Sequence, residues 1–354
     1  MKTPCSSYCI NSLPEGCKYC IKGEKLVLFI SGKCSRECWY CSLSKKRKNK
    51  DVIWANERQV KNIKEFIQEI KESNATSMGI TGGDPLLFLN RTLKYAKAVK
   101  KDFGNKFHIH IYLPTKLVNK NNLKKLSKYI DEVRFHPEFL INNHQDIINK
   151  DLEKIKIATL FWKKQNIGIE LPMIPDKKQE IFDFILKIKD FVGFVNLNEF
   201  ELSETNFDKI TKKYKLNEGG YTVKDSIKAG IWLLNQLKKN KQTSKLKVHL
   251  CTAELKNNYQ FKNRLKRHKI FKYGKKTKEG LVKYLVIEKI NNRLINRLKH
   301  MIGKQFYIDK NKKQIILSDI GARKLLRDKD FKIFLVEEFP THDRIEVEKQ
   351  EIDI

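Results

Sequence analysis

Three cysteines, Cys34, Cys38 and Cys41, follow one another at the spacing C-x3-C-x2-C. They come directly after an apolar run at 26–30 and before a basic loop at 45–50. Thiolates that converge on a short loop suit an iron–sulfur cluster better than a structural zinc ion, because such a zinc ion takes four ligands. If the cluster contains four irons, three cysteines leave one iron free to bind another molecule.

An alternation of strand-like and helix-like segments surrounds and follows this motif. Strand candidates lie at 25–31, 77–81, 107–112, 132–136, 167–173 and 193–202. Helical periodicity occupies the intervals 57–72, with Asn56 as the N-cap, and 86–101, 120–129, 151–165 and 178–191. Six strands that alternate with helices predict an α/β fold with a parallel sheet, curled into a full or partial barrel.

The predicted strands carry polar side chains on one face. Apolar residues alternate with His108, His110 and Tyr112 in one strand, and in the others with Arg134 and His136, with Glu170, and with Asn196 and Asn198. The helices must cover the apolar faces, so the polar side chains point inward. Any one of them could serve only the structure, but the set favours an open barrel that holds a polar ligand.

We expect three regions: a cysteine-rich segment at 1–24, a barrel at 25–250 and a small basic α+β domain at 251–354. The chain has a net charge of +32, and residues 251–330 contain 23 Lys and Arg against 7 Asp and Glu. Such an excess predicts a polyanionic partner, nucleic acid above all. A general preference for lysine offers a simpler explanation of part of it, since 61 of the 73 basic residues are lysine.

The remaining cysteines need a separate explanation. Cys5, Cys9, Cys17 and Cys20 could form a structural zinc site or a second iron–sulfur site, and Cys5 and Cys9 could also be incidental. Cys251 stands alone and is expected to be a small buried side chain. No apolar run reaches the length of a membrane span, so we expect a cytoplasmic protein with no membrane partner.

The cysteine motif, with Tyr40 directly before its last cysteine, resembles the signature of radical S-adenosylmethionine (radical SAM) enzymes. The resemblance implies a partial (β/α)6 barrel, in which Cys34, Cys38 and Cys41 hold a [4Fe–4S] cluster that cleaves S-adenosylmethionine to a 5′-deoxyadenosyl radical. Gly82, Gly83 and Asp84 resemble the family segment that binds the methionine amino group. An electron donor such as ferredoxin or flavodoxin is also implied.

Other cofactor-binding residues follow from the same resemblance. Glu170 and Asn198 match strands that lie near the methionine and adenine groups in the family. Arg134 and His136 are placed to reach the ribose or the methionine carboxylate, or to serve the substrate. Tyr40 is included because it belongs to the cysteine motif itself.

The sequence around the motif narrows the resemblance to archaeal radical SAM proteins that include the enzyme of archaeosine formation. That resemblance implies a tRNA substrate with a lysine-modified 7-deazaguanine and a transglycosylase-family partner protein. His108, His110, Arg264 and Arg267 are then substrate-binding candidates. Two alternatives remain: a radical SAM activase or small-molecule enzyme, and a non-enzymatic metal-bound module that binds nucleic acid.

Overall fold

The computed structural model describes residues 1–328 and 330–352. These residues divide into two compact units. The first contains residues 1–71 and 75–261, and the second contains residues 72–74 and 262–354 apart from the three residues outside the described ranges. Residues 1–24, expected as a region of their own, belong to the first unit.

A ten-stranded sheet forms the centre of the first unit, in the order β1-β10-β9-β8-β7-β6-β5-β2-β3-β4. Its strands are β1 Tyr8–Ile10, β2 Lys25–Phe29, β3 Trp54–Ala55, β4 Arg58–Gln59, β5 Ser77–Thr81, β6 His108–Pro114, β7 Glu132–His136, β8 Ile167–Met173, β9 Phe194–Glu199 and β10 Lys247–Cys251. The central pairings from β2 to β10 are parallel, whereas β1, β3 and β4 join antiparallel. The α/β class and the mostly parallel sheet are confirmed. The sheet does not close on itself within the described residues, since β1 and β4 are its edges.

Most helices of the first unit lie between the strands and cover the apolar side of the sheet. The helices of this unit are α1 Glu15–Ile21, α2 Ile63–Glu72, α3 Leu89–Phe103, α4 Lys120–Leu126, α5 Gln145–Ile157, α6 Lys178–Ile188, α7 Phe207–Thr211, α8 Ser226–Lys239 and α9 Ala253–Leu255. A π-helical stretch Lys256–Phe261 ends the unit, and α10 Lys262–Arg267 belongs to the second unit. The helix predicted at 57–72 ends at Glu72 as expected but begins only at Ile63, so the predicted start was wrong. Asn56 instead occupies a tight turn with φ 51°, and its side chain accepts a hydrogen bond from the Val27 amide at 3.0 Å.

The predicted alternation along the strands holds in the structure. Ile109 and Ile111 of β6 and Ile169 of β8 are fully buried in the core between sheet and helices. Successive side chains of a strand point to opposite faces, so the intervening polar residues face the other side of the sheet. That side is the wall of a large cavity.

The N-terminal segment covers part of this inner face, at the beginnings of the central strands. β1 extends the sheet by pairing with β10, and α1 lies against the beginnings of the central strands. Gly16 allows the close approach, because a Cβ there would lie 2.7 Å from Nη2 of Arg134 and from Nδ1 of His110.

The second unit contains an antiparallel sheet and two helices beyond α10. Its strands are β11 Lys275–Lys276, β12 Val282–Glu288, β13 Phe306–Asp309, β14 Gln314–Leu317, β15 Phe334–Glu338 and β16 Glu346–Glu351, and its helices are α11 Asn292–Ile302 and α12 Asp319–Leu325. Two small apolar clusters pack on the two faces of this sheet. Among the helices of the described ranges, none has the length and apolar character needed to cross a lipid bilayer.

Candidate active site

The three cysteines of the motif line one cavity of about 690 Å³. They lie on the loop that follows the carboxyl end of β2, where a parallel sheet presents its functional loops. Burial raises the pKa of the Cys34 thiol and raises that of Cys38 to about 11, while the nearby Arg36 guanidinium acts in the opposite direction. Ligation to iron would therefore release protons from these thiols.

The segment that contains Gly82, Gly83 and Asp84 holds the cysteine loop in place. The Gly83 amide donates to the Ser31 carbonyl at 2.8 Å, and the Asp84 amide donates to the Lys33 carbonyl at 3.0 Å. Both glycines line the cavity. A side chain on Gly83 would collide with the backbone of Lys33, at 2.2 Å from its carbonyl oxygen.

Asp84 has a different place from the one expected from sequence. It is 1% exposed, and its carboxylate accepts hydrogen bonds from the Ser35 hydroxyl at 2.5 Å and from the Leu86 amide at 2.9 Å. Burial raises the pKa of this carboxyl group, and the two hydrogen bonds oppose that change. In this structure Asp84 therefore positions the cysteine loop and caps the 3-10 turn Pro85–Phe88.

A hydrogen-bonded chain connects the cysteine motif to the central strands. His136 Nδ1 donates to the Glu170 carbonyl at 2.8 Å, so its Nε2 accepts from the Tyr40 hydroxyl at 3.0 Å. Burial lowers the pKa of His136 to about 3, which makes its ring neutral at physiological pH. Arg36 adds a second connection by donating from Nη2 to the His136 carbonyl at 2.8 Å.

Charged and amide side chains form the inner wall of the cavity. Arg134 is 2% exposed and forms ion pairs with Glu132 at 2.6 Å and Glu170 at 3.0 Å. The other carboxylate oxygen of Glu170 accepts from Asn196 at 2.5 Å and Asn198 at 2.6 Å. The structure thus brings together the residues predicted on three successive strands. Their polar groups already satisfy one another, which fixes the shape of this wall.

Two of the four N-terminal cysteines also line the cavity. Cys17 and Cys20 project from α1, whereas Cys5 and Cys9 are not among the cavity-lining residues. In the described part of the chain, no three Cys, His, Asp or Glu side chains are close enough to hold one metal ion. The four thiols are therefore not gathered into a zinc site. Burial raises the pKa of the Cys17 thiol to about 12, which keeps it protonated.

The tentative substrate residues do not line the cavity. His110 is fully buried beside Gly16 and Gly79, and His108 stacks on Tyr19 with ring centroids 5.1 Å apart. Arg264 and Arg267 belong to the second unit. Sequence reasoning, by contrast, missed the cavity-lining residues Arg36, Lys25, His249 and Lys256, and assigned Cys251 only to packing. Of these, only Arg36 had a sequence signal, its position inside the cysteine motif.

The donor set and the cavity fit a [4Fe–4S] cluster with a bound organic ligand. A four-iron cluster holds its thiolates farther apart than a single ion does, so three thiols around one cavity suit it even though they cannot surround one ion. Three cysteines also match the cluster ligand type. Gly82 and Gly83 leave the adjoining wall free of side chains. The arrangement defines an α/β protein with a three-thiolate cluster site at the carboxyl edge of a parallel sheet.

Comparison with known proteins gives the family. The model of the Radical SAM superfamily matches residues 28–188. A protein of Methanocaldococcus jannaschii, provisionally named a glycyl-radical enzyme activating enzyme, is 36% identical over an alignment of 359 positions. The alignment covers 96% of this chain and 92% of that protein. This chain belongs to the radical SAM superfamily. It is an enzyme of that family, which uses a [4Fe–4S] cluster and S-adenosylmethionine.

Solved structures show weaker similarity. Methylornithine synthase matches with a TM-score of 0.42 and 15% identity, over 60% of this chain and 62% of its own. Coproporphyrinogen III oxidase of Escherichia coli matches with a TM-score of 0.36 and 14% identity, over 57% of this chain and 50% of its own. The chain thus spans about half to three fifths of the length of these proteins. The expected resemblance to an archaeosine enzyme is not supported, since the M. jannaschii protein is named as an activating enzyme.

Proposed function

We propose that this protein is an activating enzyme that generates a glycyl radical on a partner protein. The observation that carries the proposal is the match to the M. jannaschii protein, because it extends over nearly the full length of both chains. The activase alternative is thus better supported than modification of a tRNA base. We propose ferredoxin or flavodoxin as the electron donor.

The residues of the site have distinct parts in this function. Cys34, Cys38 and Cys41 would hold the cluster, and Gly82 and Gly83 would admit S-adenosylmethionine beside it. When bound, these two groups supply a 5′-deoxyadenosyl radical. That radical would take the hydrogen atom from a glycine Cα, so that a C–H bond forms on the nucleoside and the unpaired electron stays on the glycine.

The polar wall has a positioning part. Glu170, Asn196 and Asn198 are held by mutual hydrogen bonds and lie along the same cavity as the cysteines. Such a preorganised wall orients a polar ligand without a further cost of ordering side chains. Tyr40 and His136 keep the cysteine motif attached to β7 and β8 through neutral hydrogen bonds.

A deuterium-transfer experiment tests the activase proposal. Cells are grown on glycine deuterated at Cα, and their protein and RNA fractions are incubated separately with the reduced, cluster-loaded enzyme and S-adenosylmethionine. We expect deuterium in 5′-deoxyadenosine with the protein fraction, and none when that fraction comes from cells on unlabelled glycine. Formation of 5′-deoxyadenosine that depends on the RNA fraction alone would refute the proposal.

The positive charge favours tRNA modification as a second candidate function. Modification of a tRNA base to archaeosine would use the basic domain expected at 251–354 to bind RNA. The aromatic residues of the second unit give little support to base stacking, because Tyr284 is buried and Phe271, Tyr273, Phe306 and Tyr307 pack against the apolar clusters. Several basic residues also have acidic partners, such as Arg297 with Asp328 at 2.6 Å. The RNA fraction in the same experiment tests this candidate.

A further inference from the structure

Arg36 is a buried cation with unused hydrogen-bond donors. Arg36 is 8% exposed and lines the cavity. In the sequence it lies between Cys34 and Cys38. Nη2 donates to the His136 carbonyl at 2.8 Å, but neither Nε nor Nη1 has a hydrogen-bond partner within the described ranges. A buried donor without a partner costs about 1–3 kcal/mol, and more when it is charged. We therefore expect the enzyme with its cluster bound to provide hydrogen-bond acceptors for these two donors.

Two nearby carboxylates, Asp84 and Asp151, attract Arg36 electrostatically but form no ion pair with it. The carboxylate of Asp84 is taken by Ser35 and Leu86, as described above. The carboxylate of Asp151 accepts from the Thr115 hydroxyl at 2.5 Å and from the amides of Glu138 and Phe139 at 2.7 and 3.1 Å. No ion pair of Arg36 occurs among residues 1–328 and 330–352. His136 and Tyr40, which lie beside it, are neutral.

We propose that Arg36 donates Nε–H and Nη1–H hydrogen bonds to sulfur atoms of the cluster and raises its reduction potential. An oxidised four-iron cluster with three thiolates is a net anion, and reduction adds a further negative charge. A fixed, desolvated guanidinium beside it stabilises the reduced state more than the oxidised state, since charge and hydrogen bonds to sulfur set such potentials. The inference goes beyond the proposed function and does not depend on which substrate is used.

The hydrogen bond to His136 holds the Arg36 guanidinium in a fixed position. It attaches the guanidinium to the end of β7, so the charge does not move with the loop. Arginine is also the residue suited to this position, because its planar fork directs several donors at once and it stays charged when buried. Lysine would keep the charge and lose the fork.

A redox titration of the cluster-loaded protein tests the proposal. The reduced cluster is measured by electron paramagnetic resonance, in the absence of S-adenosylmethionine. In Arg36→Met we expect the ratio of reduced to oxidised cluster at a fixed potential to fall about tenfold, which equals about 59 mV for a one-electron couple. In Arg36→Lys the same ratio should fall by less. Lys46→Met removes an exposed charge from the same loop and should change the ratio less than twofold.

A second measurement keeps the test decisive if the Arg36 variants fail to load iron. The unaltered protein is labelled with arginine that carries 15N only in its guanidinium group, loaded and reduced, and its electron spin-echo modulation is recorded. This label leaves out the backbone amide of Arg36, which donates a hydrogen bond to the Cys34 sulfur. We expect a nitrogen coupling that is absent from 15N-lysine-labelled protein. Absence of that coupling, or an unchanged potential in a fully loaded Arg36→Met protein, overturns the proposal. An unchanged potential with weakened S-adenosylmethionine binding would assign Arg36 to that ligand instead.

Discussion

Gly83→Ala perturbs the cysteine loop through one methyl group. Gly83 lies next to the loop, and its φ is not in the left-handed region, so the change acts by steric contact alone. The new Cβ would lie 2.2 Å from the Lys33 carbonyl oxygen, 2.6 Å from its carbonyl carbon and 2.9 Å from Cys34 Cβ. These are mostly backbone atoms, which cannot rotate out of the way.

The size of the effect follows from these distances. Ordinary contact between such atoms requires about 3.5 Å, so Lys33 and Cys34 must move by about 1 Å. Overpacking of this kind costs about 1–3 kcal/mol in stability. A displacement of 1 Å at a reacting site lowers the rate by about 100-fold. We expect Gly83→Ala to fold, to retain less iron after anaerobic reconstitution and to form 5′-deoxyadenosine about 100-fold more slowly per bound cluster.

Gly104→Ala is the matched control. Gly104 follows α3 with φ 79°, and a Cβ there would meet no atom within 4 Å. This variant should lose stability through backbone strain, on the order of 1–3 kcal/mol, with normal iron content and normal nucleoside formation. If Gly83→Ala behaves in the same way as Gly104→Ala, Gly83 does not position the cluster loop and the reasoning fails.

Three further predictions concern buried polar contacts. Asp84→Asn should weaken the contact to Ser35 by about 1.5–3 kcal/mol, seen as faster loss of iron to a chelator, and Ser35→Ala should reproduce this loss. Arg134→Met leaves Glu132 buried and unpaired, so the free energy of unfolding of the apo-protein should fall by about 3–5 kcal/mol in denaturant titration; an unchanged value would contradict the pairing. Burial lowers the pKa of His249 to about 3 from 6.5, so the stability that the neutral ring provides is complete above pH 6.5 and is lost as pH falls toward 3. Unfolding midpoints of His249→Gln should accordingly depend less on pH between 7 and 5 than those of the unaltered protein.

Local pattern was enough to predict the central parallel strands, but not the flanking strands β1, β3 and β4. The strands at 77–81, 132–136 and 167–173 agree with β5, β7 and β8, because each alternates apolar and polar residues between turn signals. The same alternation placed Arg134, Glu170 and Asn198 on one inner wall. The helix predicted at 57–72 begins only at Ile63, because the start of its apparent periodicity forms the short hairpin of β3 and β4.

Contacts distant in sequence could not be predicted. The bond from Arg36 to His136 joins residues 100 positions apart, and Cys17 meets Arg134 across 117 positions. The burial of His110 depends on where α1 packs, and α1 follows a loop whose path the pattern does not define. Asp84 was expected to face a ligand because its residue type suits an ammonium group. Its actual hydrogen bonds depend on the conformation of the cysteine loop.

The most direct test of the proposed function is a search for a glycine-centred radical. Protein from the source cells is incubated anaerobically with the reduced, cluster-loaded enzyme and S-adenosylmethionine, and its electron paramagnetic resonance spectrum is recorded. We predict a protein-bound doublet that collapses to a singlet when the cells were grown on glycine deuterated at Cα, and that is absent with Cys38→Ala. Consumption of S-adenosylmethionine in the presence of tRNA, with no glycine-centred signal in any protein fraction, would contradict the account.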